Sequence, residues 1–403
     1  MSAEQKAGAR QGLTILAGSA LPVMGVVLLA PVAQNLREQL SDASLPFDVT
    51  SLVLTAPALA IALFSPLAGY FVDRVGRRPV LLSMLLLYGV VGMAPVLLNH
   101  PLAIVAARFL LGIAEAGILA ANFALIGDYF QGEQRRRWIA YKSSVAALMA
   151  TLFYIVGGFL GEWGWRAPFA FYGIGILIAL PAARYVFEPP KSPQTERYPV
   201  PSAPRAGVVL PYLVITLLCA ILFYIVPLQL GLFLERRGEF PLSAIGVMIA
   251  LAGLGNPVGA LAFRFLSHIS LPVLMLASAL LAGAGLVVAA MSPGAPALVL
   301  GGFINQVGCG LFVPITVSSL LQVAPSERRG TSGGAWSTAF FIGQFFSPLF
   351  VAELIQRSSA GGELLMLGLI NLAIGVVAYF ALRGVRRVPA SGESARVDIK
   401  GLG

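Results

Sequence analysis

Charge is scarce in this sequence: Asp, Glu, Lys and Arg together make up 11% of 403 residues, against about a quarter in a soluble domain. So few charges cannot cover a water-soluble body of this size, and the uncovered surface has to face lipid. Histidine is scarcer still. His100 and His268 fall in loop regions and form no ligand pair, so no metal site is expected. The two cysteines, Cys219 and Cys309, lie inside apolar runs and read as buried thiols without a disulfide or metal role. No Walker motif occurs, which removes ATP-driven pumping. Neither an enzyme nor a cofactor is expected. The net charge of +9 does not point to nucleic acid, because the basic residues sit in short clusters between apolar runs and make no basic face interleaved with aromatics.

What the sequence has in abundance is long apolar runs. Hydrophobic residues make up 58%, and a membrane helix needs about 20 of them in a row. Twelve such runs lie near 13–36, 49–72, 79–98, 101–126, 138–160, 166–187, 208–234, 242–265, 271–291, 295–323, 333–356 and 363–383. They are too long and too continuously apolar for barrel strands, which alternate over about ten residues. The predicted fold is therefore an all-α polytopic membrane protein with twelve transmembrane helices. A stretch rich in Pro and charge, 188–207, reads as a linker. It divides the chain into two pseudo-symmetric six-helix halves, 1–187 and 208–403. The motifs Gly132-Glu-Gln-Arg-Arg-Arg and Ser326-Glu-Arg-Arg-Gly stand before the fifth and eleventh spans, as a parallel repeat would place them.

The basic residues fix an orientation. One set of loops holds only Arg37, Arg166, Arg236, Arg237 and Arg357, Arg108 falls within a span, and all the other Lys and Arg residues fall on the opposite side. The positive-inside rule then puts both termini in the cytoplasm. Trp163 and Trp165 read as interface anchors in an outer loop.

The segment Gly69-Tyr-Phe-Val-Asp73-Arg74-Val-Gly76-Arg77-Arg78 joins the second and third spans. Its two glycines permit close approach or positive φ, and its Asp can pair with basic groups or cap a helix. It resembles the G-x-x-x-D-R-x-G-R-R signature of the major facilitator superfamily. The resemblance implies that Gly69, Asp73, Arg74, Gly76, Arg77 and Arg78 lock an inner gate. The fourth span, Arg108-Phe-Leu-Leu-Gly112-Ile-Ala-Glu115-Ala-Gly117, is similar to that family's fourth-helix motif. Gly343-Gln-Phe-Phe-Ser-Pro348 looks like efflux-type members. Tyr154-Ile-Val-Gly157-Gly158 departs from the drug exporters, keeping the paired glycines of their fifth span without its Gly-Pro.

Polar residues inside apolar spans are expected to face the protein interior. Arg108, Glu115 and Asn122 recur every seven residues and form one stripe down the fourth helix, drifting about 20° per step. Such a stripe suggests a water-accessible cavity, or else a buried structural ion pair. Glu115 is the expected proton carrier and Arg108 its tuner. Further cavity candidates are Asn35, Asn122, Tyr154, Tyr224, Gln229, Asn305, Gln306, Trp336 and Gln344, any of which is as suited to an interhelical hydrogen bond. Lys142 can snorkel. Prolines 22, 57, 227, 257, 314 and 348 can kink their helices.

The function expected from residues and resemblance together is proton-coupled efflux of a small organic solute by alternating access, performed by a monomer in a bacterial inner membrane. Its partners would be the solute, protons and the lipid bilayer. Import of a small organic anion is the alternative within the class, and a non-transporting receptor is the alternative outside it. Topology is the first expectation to check. Reporter fusions after Arg197 and at the C-terminus should both report cytoplasm, and one near Asp42 the outside. A C-terminus outside the cytoplasm would remove one span and break the two-times-six plan.

Overall fold

The computed structural model describes residues 7–40, 49–189, 206–266, 268–291, 294–323, 329–357 and 362–383. Most of the expected linker lies outside them. Among the described residues there is no strand, and twelve helices are long and apolar enough to cross a membrane. These spans run Ala9–Leu40, Val49–Val75, Arg77–Val96, Pro101–Tyr129, Gly132–Gly161, Ala167–Tyr185, Val209–Glu235, Leu242–Leu266, Leu271–Met291, Ala295–Leu320, Ser332–Leu354 and Gly362–Ala381. They are numbered 1 to 12 in that order.

Spans 1, 7 and 8 are each broken by a proline acting at the position its chemistry dictates. Proline lacks an N–H and its ring collides with the carbonyl four residues back. The first helix of span 1 ends at Val27, four before Pro31. Span 7 breaks after Phe223, four before Pro227. Span 8 breaks after Gly253, four before Pro257. Prolines 22, 57, 314 and 348 stay inside continuous helices. The broken spans leave backbone groups free in the interior, which is tolerated only where protein or a cavity surrounds them.

Glycines set how closely spans approach. A Cβ on Gly112 of span 4 would lie 2.3 Å from the Pro57 carbonyl of span 2. Spans 5 and 8 meet in the same way: a Cβ on Gly158 would lie 2.4 Å from the Leu242 carbonyl, and one on Gly246 would lie 2.4 Å from that of Tyr154. Gly157 abuts the Leu28 carbonyl of span 1 at 2.0 Å by the same measure. The paired glycines of span 5 thus hold it against both span 1 and span 8.

The tight packing between spans 5 and 8, one from each set of six, is at one end. Span 2 is buried along most of Val49–Ala62 and mostly exposed from Leu63 to Val75. At the end carrying Asp73 to Arg78, Gly69 of span 2 and Gly333 and Gly334 of span 11 meet nothing within 4 Å. The bundle is therefore closed at the end away from the basic loops and splayed at the basic end. Gly246→Val should cost the closed form about 1–3 kcal/mol by overpacking and lower the thermal midpoint in detergent. Gly69→Ala, facing open space, should leave the midpoint unchanged. Equal losses in the two variants would contradict the asymmetry.

Candidate substrate and proton site

The stripe on span 4 is real, and all of it faces span 1. Arg108, Glu115 and Asn122 are each 0% exposed. Arg108 donates from Nε to the Val53 carbonyl of span 2 at 2.9 Å and from Nη2 to the Gly25 carbonyl of span 1, and its guanidinium lies 5.2 Å from the Tyr172 ring centroid. Its Nη1 has no partner. Glu115 lies against Gly25, where a Cβ would fall 1.9 Å from Glu115 Oε1. Both carboxyl oxygens are buried without a hydrogen bond. Asn122 donates to the Ser19 hydroxyl at 3.1 Å, and its Oδ1 is left over.

The expected water-accessible cavity along this stripe is therefore absent in this conformation: span 1 covers it. The alternative of a direct ion pair is absent too, since no Arg108–Glu115 contact falls within 4.0 Å and the two residues are seven apart, a rise of about 10.5 Å. Two tyrosines complete the enclosure. Tyr88 donates to the Leu21 carbonyl at 2.8 Å, Tyr172 donates to that of Met24 at 3.5 Å, and their ring centroids are 5.7 Å apart.

The candidates from the other spans fall into three groups. Tyr224, Gln306, Trp336 and Gln344 gather around the break in span 7. Gln306 donates to the Phe223 carbonyl at 3.4 Å and to Asn305 Oδ1 at 3.2 Å. Trp336 stacks on Phe340 at 5.0 Å and donates to Thr316 Oγ1 at 3.0 Å. Tyr224 meets the same Phe340 ring at 5.4 Å. Gln344, one turn beyond Phe340, is 0% exposed with both amide atoms unpartnered. Tyr154 bridges from span 5 to the Pro227 carbonyl at 3.4 Å, and Gln229 is buried in the next turn of span 7. The second is Asn305, which accepts from Gln306 on one side and donates toward span 9, to the Ala282 carbonyl at 2.9 Å, on the other. The third is Asn35, half-buried far from the rest, which lines a cavity of about 780 Å³ at the closed end. Lys142 rests its ammonium 3.4 Å from the Phe123 ring centroid.

The segment 69–78 ties four spans of the basic end together. Gly76 has φ 121°, a conformation only glycine adopts without strain. The turn it makes aims the N–H groups of Arg77 and Arg78 at one carboxylate, Glu188, each at 2.8 Å. Glu188 thus caps the start of span 3 from beyond the end of span 6. Arg77 pairs with Asp128 of span 4 at 2.9 Å and with Asp73 at 3.6 Å. Arg78 donates to the Ala183 carbonyl at 2.8 Å, and Arg74 bonds the Tyr70 hydroxyl. The Asp73 side chain is 70% exposed. Among the described residues no group of three or more His, Cys, Asp or Glu is placed to hold a metal ion.

A family model described as the Major Facilitator Superfamily matches residues 14–292 and 243–401. The chain belongs to the Major Facilitator Superfamily. It is a multi-pass membrane transporter of that superfamily and not an enzyme. The bacillibactin exporter of Bacillus subtilis (strain 168) is 33% identical over 165 residues, which span 38% of this chain and 40% of that protein. The quinolone resistance protein NorA of Staphylococcus aureus (strain MSSA476) is 22% identical over 340 residues, 83% of this chain and 87% of that one. In fold, the chain superposes on a D-xylose-proton symporter with a TM-score of 0.77 at 16% identity, covering 93% of this chain and 96% of that one. Superfamily membership fixes the class of activity and leaves the solute and direction to the site.

Sequence reasoning missed several residues that shape this superfamily site. Tyr88 and Tyr172 carried a usable signal, being hydroxyls inside apolar spans. Phe340 carried none, since an aromatic in an apolar helix is ordinarily core. Glu188 fell in the segment read as linker, and its partners are 110 and 111 residues away. Asp128 ends span 4, where an acid looks like an ordinary loop residue.

Proposed function

We propose that this chain is a proton-coupled exporter of small organic solutes, working by alternating access in a bacterial inner membrane with both termini in the cytoplasm. Two six-helix units, 1–187 and 208–403, rock about the contacts of span 2 with span 11 and span 5 with span 8. The conformation described above is then the inward-facing one, closed outside and open to the cytoplasm. The bacillibactin exporter among its relatives supports the direction.

The observation that carries the reading is Glu115. A carboxyl buried with neither oxygen bonded is costly to hold as an anion, so the arrangement behind span 1 suits the neutral acid. Rocking that draws span 1 away from span 4 would admit water and let the proton leave. Arg108 would keep its bond to the Val53 carbonyl of span 2 and set the local potential that Glu115 meets when it ionises. The solute would bind beside the break in span 7, against Tyr154, Tyr224, Gln229, Gln306, Trp336 and Gln344. The aromatic rings there favour a solute that carries a ring of its own. Asn35, Asn122 and Asn305 line the path or hold helices rather than contact solute in the inward-facing state.

The segment Gly69–Arg78 acts as the inner gate. Gly69 offers a smooth surface for span 11 to close on, and the exposed Asp73, paired with Arg77 at 3.6 Å within its own segment, would swing to meet the start of that helix when the inner end shuts. Import of an organic anion is the second reading, favoured by the missing Gly-Pro of span 5.

The test is solute accumulation in everted vesicles with a proton gradient imposed, at several pH values, using a quinolone as the first probe. Glu115→Gln should abolish gradient-driven accumulation and retain downhill exchange. Normal accumulation with normal pH dependence in that variant would make Glu115 structural, and uptake only under the reversed gradient would favour the importer.

A further inference from the structure

At the closed end the Glu162 side chain joins the two sets of six spans. Glu162 follows span 5 and accepts hydrogen bonds from the Ser243 N–H at 2.9 Å and the Ser243 hydroxyl at 3.0 Å, at the start of span 8. Both ends of this contact are anomalous on their own. The first N–H groups of a helix need a cap, and the N-cap of span 8 is Pro241, which offers no side-chain acceptor. Glu162, for its part, occupies the C-cap of its own helix, where the helix dipole disfavours an anion. Each anomaly is resolved by the other. The carboxylate leaves the negative pole of span 5 and sits on the positive pole of span 8, in the other six-helix set.

We propose that Glu162 is a positioning residue of the transport cycle, an outer latch that caps span 8 only while the outer end is closed. Gly158 and Gly246, one turn or less away, let the two helix ends come close enough for it to reach. When the outer end opens, span 8 loses its cap and Glu162 returns to an unfavourable pole, so both halves of the contact resist opening. This stabilises the closed form through a contact that is exposed and therefore quick to break. The Ser243 N–H, then its hydroxyl, hold the Glu162 carboxyl below the usual carboxylate range. Arg37, Glu38, Glu235, Arg236 and Glu239 line the same cavity. A carboxyl so depressed keeps the latch intact at neutral pH and loosens it only as the pH falls through that lowered range. The latch is thus distinct from the proton carrier and holds whatever solute is moved.

The experiment measures the outer opening directly. Leu97 and Met291 are 85% and 80% exposed at the closed end, one in each set of six spans. Spin labels on Leu97→Cys and Met291→Cys report their separation, with the buried Cys219 and Cys309 left in place. Glu162→Ala should raise the long-distance population about fivefold. Ser243→Pro, which removes an N–H of the first turn that has no partner within its own helix, should do the same while Glu162 remains. Combining them should add nothing further. Parental distances in both single variants, or additive shifts in the double variant, would overturn the latch. Because the readout is a distance rather than transport, it stands apart from the Glu115 test.

Discussion

The Arg108 guanidinium binds three spans together, and much of the protein's interior depends on that clamp. It reaches the Gly25 carbonyl of span 1 and the Val53 carbonyl of span 2 while lying beside the Tyr172 ring. A cation in the middle of a bilayer costs roughly 3 kcal/mol even on lenient scales, and here carbonyl oxygens rather than an acid offset it. That leaves the nearby acid, Glu115, without a counter-ion of its own. It is enclosed where span 1 crosses, with Gly25 as the one residue small enough to let it in. The same clamp that makes Arg108 affordable makes Glu115 a group whose comfort depends on its protonation and on where span 1 lies.

Glycine packing and helix breaks carry that local constraint to the whole molecule. Gly157 seats span 5 against the carbonyl of Leu28, three residues from Gly25 along span 1. Gly158 seats span 5 against span 8. Any rotation that separates spans 5 and 8 at the closed end is therefore transmitted to span 1. The proline breaks at Val27, Phe223 and Gly253 lie in the three spans that have to flex, and two of them border the polar groups proposed to meet solute. At the other end, Glu188 and the paired residues Arg77 and Asp128 hold spans 2, 3, 4 and 6 as one block, so this set moves together.

Much of this was legible in the sequence and some could not be. Hydropathy alone located every span, because a bilayer demands about 20 apolar residues wherever a helix crosses; span 3, expected near 79–98, runs Arg77–Val96. Seven-residue spacing correctly put Arg108, Glu115 and Asn122 on one face. It could not say what covers that face, since Gly25 is 83 residues from Arg108. The stripe suggested water for that reason, and the structure supplies a helix instead. Asn35, a cavity candidate from sequence, lines a cavity apart from the others, because helical periodicity gives a residue's face but not its depth relative to spans elsewhere in the chain. The latch was illegible for a similar cause: neither Glu162 nor Ser243 is unusual until Pro241 and the two helix poles are seen together.

The account's central claim is that opening and closing of span 1 over span 4 changes the protonation of Glu115. Infrared difference spectroscopy tests it most directly, comparing protein trapped closed at the outer end with protein held open by Gly246→Val. The closed form should give a protonated-carboxyl band that disappears in Glu115→Gln and is lost or shifted on opening. A closed form without that band, or a band unchanged between the two forms, would contradict the claim.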